Sequence, residues 1–310
     1  MDVYQDFLEK LDVSIKKSKT INLKSFVDDE LTHSYRSLLM NSGSVPQIDR
    51  TFVKLSNDVL KKIMKVNYFF DHIYLLNLTR RPDRLKYMEQ QFRIHNIFNW
   101  SRWPAVDGKR PPHYDEWQNY RRQRMTSQEK RKYHRKAIGS TGSWAILKSM
   151  YLMLQDAIRK KYKTILVFQD DLLFHKNFEE EFLKIPERIP KNWKLLYLGA
   201  TQHNWNHVEY RSKYYFPMGT ADGAFAVAIH HSIFRELMNE ITKFDMPFDS
   251  GPLKTIQRHY GRQCIVLQPN LTIADIRDSD LRNARDIEVY SQKFRWNLRY
   301  YHTPKTALDN

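Results

Sequence analysis

The stretch TILVFQDDLLF, Thr164 to Phe174, decides how this chain is read. Thr164 to Phe168 suit a buried strand, and they run straight into Gln169, Asp170 and Asp171. Large apolar residues then return at Leu172, Leu173 and Phe174. A solvent-facing turn is not normally followed at once by three such side chains, so the acidic pair reads as a functional kink at the end of a core strand. Adjacent carboxylates repel unless a cation relieves them. A divalent ion such as Mg2+ or Mn2+, shared with substrate phosphates, is the simplest relief. The competing reading is a plain turn or a cap for the helical stretch NFEEEF, which is the commoner fate of an isolated acidic pair.

Working outward, WAILKSMYLMLQDAIRKKY before the strand has helical spacing, as does FHKNFEEEFLKIPERI after it. WKLLYLGA, GAFAVAIH and CIVLQPNLTI read as further strands, with the helix HSIFRELMNEITKF between the last two. Upstream, Ile73 to Leu76 form a short apolar strand, followed by a polar turn and the helical stretch RLKYMEQQFRIHNI. FNWSRWPAVDGKR is strand-like and ends in Asp107 and Gly108. Strand and helix alternate from about Tyr68 to Thr272, which predicts an α/β sheet with helices on its faces. Ligands of open α/β sheets bind at the carboxyl ends of strands. Three polar clusters fall at such ends: NLTRRPDR, AVDGKR and QDD. The predicted organisation is a helical extension over 1–66, the α/β domain over 67–285 and a tail over 286–310. Lys109 to Lys136, basic and dotted with aromatics, reads as a long surface loop.

The 310 residues are 41% hydrophobic, enough for a full core, and no run approaches the ~20 apolar residues of a membrane span. Cys264 is the single cysteine, which excludes an intrachain disulfide and leaves it as strand core. The N-terminal stretch lacks a secretory apolar segment. These features predict a cytoplasmic protein, with peripheral contact to an anionic membrane as one use for its charge. A net charge of +16 suits nucleic acid, an anionic membrane surface or a phosphate-bearing substrate alike.

The order IYLLNLTRRPDRL, RWPAVDGKR, KTILVFQDDLLF and WKLLYLGA resembles glycosyltransferase family 25, which includes lipopolysaccharide and collagen galactosyltransferases. The likeness runs from about Ile73 to Asp280. It implies a GT-A fold, a Rossmann-like sheet that binds a nucleotide-sugar donor, here a UDP-sugar. It also implies Asp171 as principal ligand of Mn2+ or Mg2+, with Asp170 beside it. Asn77, Arg80, Arg81 and Arg84 match the first family motif, and Asp107 and Gly108 the second, so these would line the nucleotide half of the site. Arginines there suit the bidentate recognition of a diphosphate. The acceptor would be a glycan, a lipopolysaccharide-like molecule or a hydroxylated protein.

The inverting transfer that the resemblance implies needs a base for the acceptor hydroxyl. Asp249, in MPFDSGPLK, is the preferred candidate and Asp222, in GTADGAF, the second; helix capping is the alternative use of Asp249. Asp275, Asp278 and Asp280, set among Arg277 and Arg282, either close over the donor or form a self-paired charge run. His203, His207 and Trp205 are candidates for acceptor contacts.

Two departures from the family stand out. Its EDD motif is Gln169-Asp170-Asp171 here, which removes one anionic ligand. Its GExGCxxSH helix start is GSTGSWAIL, which keeps Gly139 and Gly142 and loses the Ser-His pair. A catalytically degenerate scaffold is therefore a competing reading. A nucleic-acid-binding protein using the basic aromatic loop is another, although the carboxylate pair argues against a phosphate-only surface.

Overall fold

A computed structural model describes residues 66–124, 138–185, 188–278, 280 and 285–302. The predicted helical extension, up to residue 65, lies outside the described residues, as do 125–137 of the predicted basic loop and Arg282. The chain divides into two compact units, Met1–Asp71 and His72–Asn310. In the first, the described part is a helical turn, Val66–Phe69, followed by buried Phe70.

The second unit is built on an eight-stranded mixed sheet. Its strands are β1 (His72–Asn77), β2 (Trp100–Pro104), β3 (Thr164–Gln169), β5 (Leu195–Gln202), β6 (Glu209–Tyr210), β7 (Tyr214–Phe216), β8 (Ala221–His230) and β9 (Cys264–Leu267). The spatial order is β2-β1-β3-β8-β5-β9-β7-β6. β2, β1 and β3 pair in parallel, β8 runs antiparallel between β3 and β5, and β5 and β9 are again parallel. Only β7 and β8 oppose the common direction, so most carboxyl ends emerge at one edge. The α/β reading holds at this level.

Strand alternation divides the core between the two faces of the sheet. Ile165 and Val167 of β3 join Tyr74, Tyr197 and Val227 under α3 (Thr141–Arg159) and α5 (Phe234–Thr242). Phe168, on the other face, meets Phe92 of α1 (Pro82–Ile94) at 5.6 Å and Phe174 at 5.5 Å. Both faces of β3 are buried, which explains its unbroken apolar run. The apolar residues after the acidic pair have their own place: Leu172–Phe174 is β4, which pairs antiparallel with β10 (Thr272–Ala274) in a separate two-stranded sheet. The acidic pair therefore sits where the chain leaves one sheet for another.

Several expectations change. His113–Arg124, expected as loop, is helix α2, with Asp115 and Glu116 in its first turn. Trp117 is buried there, and its indole donates to the carbonyl of Ile138. The segment CIVLQPNLTI is not one strand: β9 ends at Leu267 and β10 begins at Thr272, each in a different sheet. The helix expected after His175 is short, α4 (Phe178–Leu183). Within the stretch read as a tail, α7 (Ile287–Phe294) is capped by Asp286, whose carboxylate accepts from the backbone N–H groups of Glu288 and Val289. Trp296 follows, buried, and donates to the carbonyl of Ala200 at 3.3 Å. No helix among the described residues is long and apolar enough to cross a membrane.

Candidate active site

The parallel register of β1, β2 and β3 brings three polar strand ends together. Leu76 lies beside Gln169, and Asn77 beside Pro104. Asn77, almost fully buried, donates from Nδ2 to Asp170 at 2.7 Å and accepts from Arg102 Nε at 2.9 Å. Its amide thus ties the second strand to the third. The chain beyond β2 is held by the Ala105 N–H donating to the Asn77 carbonyl at 2.9 Å. Gly108 then passes against the start of α3: a Cβ there would lie 2.2 Å from the Thr141 carbonyl oxygen. Only glycine allows that approach. Ser140 caps α3 by accepting from the Ser143 N–H, and Thr141 and Gly142 present the start of this 19-residue helix to the cleft.

These ends border a cleft that is open to solvent. Arg80, Arg84, Asp107, Gly108, Asp170 and Asp171 line it, together with Gln169, the point of departure from the family motif. Asn77 and Arg81 support it from outside the lining.

The arginines are saturated with carboxylates, and two of those come from 200 residues away. Arg80 donates to Asp107 at 3.1 Å and to Asp280 at 2.6 Å. Arg81 reaches Asp280 at 2.9 Å, Asp83 at 2.7 Å and also Asp278. Arg84 holds Asp170 at 3.1 Å and Asp280 at 3.3 Å. Asp275 instead pairs with Arg277 at 2.7 Å. The two readings of this segment divide between its residues: Asp275 is self-paired, whereas Asp278 and Asp280 close onto the arginines. Burial works against ionisation of Asp280, but Arg80 and Arg84 outweigh it and hold the carboxyl below the usual range.

The acidic pair is treated unequally. Burial raises the Asp170 carboxyl, with Arg84 and Asn77 opposing that rise. Asp171 feels the Arg84 charge but makes no side-chain hydrogen bond to it. Its Oδ1 is sealed from solvent without a hydrogen bond, although the residue as a whole is half-buried. Burial first, and the Asp170 charge second, push its carboxyl up to about 7. Repulsion within the pair is therefore relieved by a bonded guanidinium at Asp170 and only in part, through its charge, at Asp171. An orphaned carboxylate oxygen beside a second carboxylate fits a divalent cation whose remaining ligands come from substrate and water. The described residues contain no group of three or more His, Cys, Asp or Glu side chains arranged for a metal by themselves.

Neither candidate base lines this cleft. Asp222, on β8, bonds Lys254 at 2.8 Å and His203 at 3.2 Å. Burial opposes its ionisation, but these two partners outweigh it and keep the carboxyl below its ordinary value. Asp249 opens a π-helical turn, Asp249–Leu253, and accepts from the Ser250 hydroxyl at 3.0 Å. Both carboxylates act on the buried Tyr197 hydroxyl, to which Gln257 donates at 2.8 Å. Lys254, at the start of α6 (Lys254–Tyr260), was not singled out by the sequence, although it stands five residues after Asp249. His207 is exposed, while Trp205 is half-buried beneath the Arg295 guanidinium at 4.4 Å from its centroid.

In the described part of the basic stretch Tyr114 is exposed, whereas two other aromatics are used internally. Trp117 is buried, and the Tyr120 hydroxyl donates to the carbonyl of Phe244. Those two rings are not available for base stacking.

Fold and cleft define a mixed α/β protein whose sheet edge gathers three arginines and their carboxylate partners. Comparison with known proteins narrows the class. The chain matches the family described as glycosyltransferase family 25 (LPS biosynthesis protein) over residues 70–243. It is similar to a "Glycosyltransferase 25 family member" of Drosophila melanogaster, 28% identical over 190 residues, covering 58% of this chain and 26% of the fly protein. A protein of the same description from Drosophila pseudoobscura pseudoobscura is 27% identical over 165 residues, covering 53% of this chain and 25% of its own length. The chain spans about a quarter of the length of these relatives. It belongs to glycosyltransferase family 25.

Proposed function

We propose that the chain moves a hexose from a UDP-sugar to a hydroxyl of a glycan, lipopolysaccharide-like or hydroxylated-protein acceptor, with inversion, on a GT-A-type sheet. The observation that carries this reading is the convergence of Arg80, Arg81 and Arg84 beside Asp170 at the carboxyl ends of parallel strands. A donor diphosphate would exchange with the carboxylates of Asp278 and Asp280 for the guanidiniums, which match phosphate in charge and fork geometry. The bare backbone at Gly108 and the positive end of α3 at Gly142 add room and field for the same anion.

Asp171, with Asp170, would hold Mn2+ or Mg2+, which would neutralise charge on the departing diphosphate. Asp249 takes the proton from the acceptor hydroxyl as that oxygen bonds to the anomeric carbon and the bond to phosphate breaks. Among the described residues its side chain accepts one hydrogen bond, from the neutral Ser250 hydroxyl, which leaves a lone pair for that proton. Asp222, fixed in its ionised form, positions Lys254 and His203 beside it.

The test is transfer from UDP-hexoses, followed by UDP release and product mass, for the full chain and for Asp249→Asn. The variant should lose at least 100-fold in kcat and retain UDP affinity. Unchanged kcat would remove Asp249 as base. Failure of the wild-type chain to bind any UDP-, GDP- or CMP-linked sugar would overturn the transferase reading itself.

A further inference from the structure

A second depression opens at the same sheet edge, where β5 and β9 end and β7 begins. It is larger than the arginine cleft and likewise open to solvent. Its wall has a different chemistry. Trp205, Tyr210, Tyr215, Trp296, Tyr300 and Tyr301 all contribute rings. Tyr210 and Tyr300 are 44% and 50% exposed, so their faces are open to a ligand. Gln268 and Asn297 add exposed side-chain amides.

The charge of this wall is positive. Arg211, Lys213 and Arg295 line it against one carboxylate, Glu181. Glu181 is already engaged by Lys184 at 2.7 Å and lies 4.0 Å from Lys213. Arg211 reaches Glu209 only at 3.9 Å, while Glu209 is held by Arg262 at 2.9 Å. Arg295 makes no ion pair among the described residues. Its guanidinium lies over Trp205 at 4.4 Å and donates to the Tyr210 hydroxyl at 3.1 Å. An arginine so stacked is a pre-ordered anion receptor with spare donors.

Open ring faces beside amides and surplus cations select a ligand with apolar C–H faces, a rim of hydroxyls and a negative group. A lipid chain would call for an unbroken apolar wall, and most of the polar groups named here would be left unpaired against it. We propose that this groove binds an oligosaccharide bearing acidic groups, with Tyr210 and Tyr300 against the sugar faces and Arg295 on the acid. The groove also connects to the reaction region. Phe294 lines it and packs edge-on against the His203 ring at 5.1 Å, and His203 is bonded to Asp222. That this glycan is the acceptor rests on the proposed transfer; that the groove binds it does not.

Calorimetric titration of the full chain with tetragalacturonate and with neutral maltotetraose tests the proposal at physiological salt. Tetragalacturonate should bind at least tenfold more tightly than maltotetraose. Arg295→Met and Tyr300→Ala should each weaken it about tenfold, the loss expected for one charge-assisted contact or one stacked ring. UDP affinity should stay unchanged in both variants. Arg235→Ala, an exposed arginine after β8 at the opposite edge, should leave tetragalacturonate binding intact. The proposal is overturned if tetragalacturonate does not bind, if maltotetraose binds equally, if both groove variants bind as wild type, or if Arg235→Ala weakens binding equally. If UDP fails to bind while tetragalacturonate follows Arg295 and Tyr300, the groove stands and the transferase reading falls.

Discussion

Asp171→Asn offers a direct reading of the less relieved carboxylate, provided the protein is kept in chelator so that no divalent ion is present. The Asp171 carboxyl is carried from the usual aspartate value of 3.8 to about 7 in the fold. A raised folded pKa means the native state holds the proton that the unfolded chain has released. Stability from this group is therefore full below about pH 4 and is lost as pH rises towards 7. At ~1.4 kcal/mol per pH unit the whole span amounts to about 4 kcal/mol. The residue is half-buried, so water screens part of this, and a loss of about 2 kcal/mol by pH 8 is expected. His95 titrates in the opposite sense: burial lowers its imidazole to about 4, so its contribution is lost as pH falls from 6.5. The two must be separated by difference. Urea unfolding of wild type and Asp171→Asn should give similar stabilities at about pH 3 and a variant more stable by about 2 kcal/mol at pH 8. A variant equally stable or weaker at pH 8, with the same pH slope, would refute the argument.

Arg84→Ala should cost roughly 3–5 kcal/mol, because Asp170 would stay buried with its bonded guanidinium gone and only Asn77 and the Arg81 charge to stabilise it. Urea unfolding checks the loss, and Asp170→Asn in the same chain should restore much of it. Gly108→Ala drives a Cβ to 2.2 Å from backbone at Thr141, so the β2 to α3 junction must part, at about 1–3 kcal/mol and with weaker nucleotide binding. Gly139→Ala, with nothing within 4 Å, should stay within about 0.5 kcal/mol of wild type in the same unfolding assay.

The central strands were legible because they are buried on both faces and punctuated by polar ends, whereas the short β6 and β7 were not read. β3, β5 and β8 announce themselves by composition alone. The arginine turn after β1 and the acidic pair after β3 could be placed at one edge from strand order, and the register brings Asn77 to Asp170 as that placement requires. Less was legible where structure depends on distant partners. α2 looked like loop because its buried residues, Trp117 among them, are few among charges. Nothing local in CIVLQPNLTI marks the change of sheet between Leu267 and Thr272. Asp278 and Asp280 reach arginines some 200 residues earlier, a pairing no local pattern encodes. Trp205 apart, the aromatic groove escaped for the same reason: its other rings come from β6, β7 and the segment after α7, and only the tertiary fold gathers them.

The central claim is that the arginine cleft receives the donor diphosphate. Calorimetric titration of UDP with Mn2+ into wild type and Arg80→Ala tests it most directly. Arg80 faces the cleft with its side chain about a quarter exposed, so its loss should leave the core intact. The account predicts measurable UDP binding in wild type and an affinity at least tenfold lower in the variant, the loss expected for charge-assisted hydrogen bonds to phosphate. Equal UDP affinity in the two proteins, or no UDP binding by wild type, would contradict it.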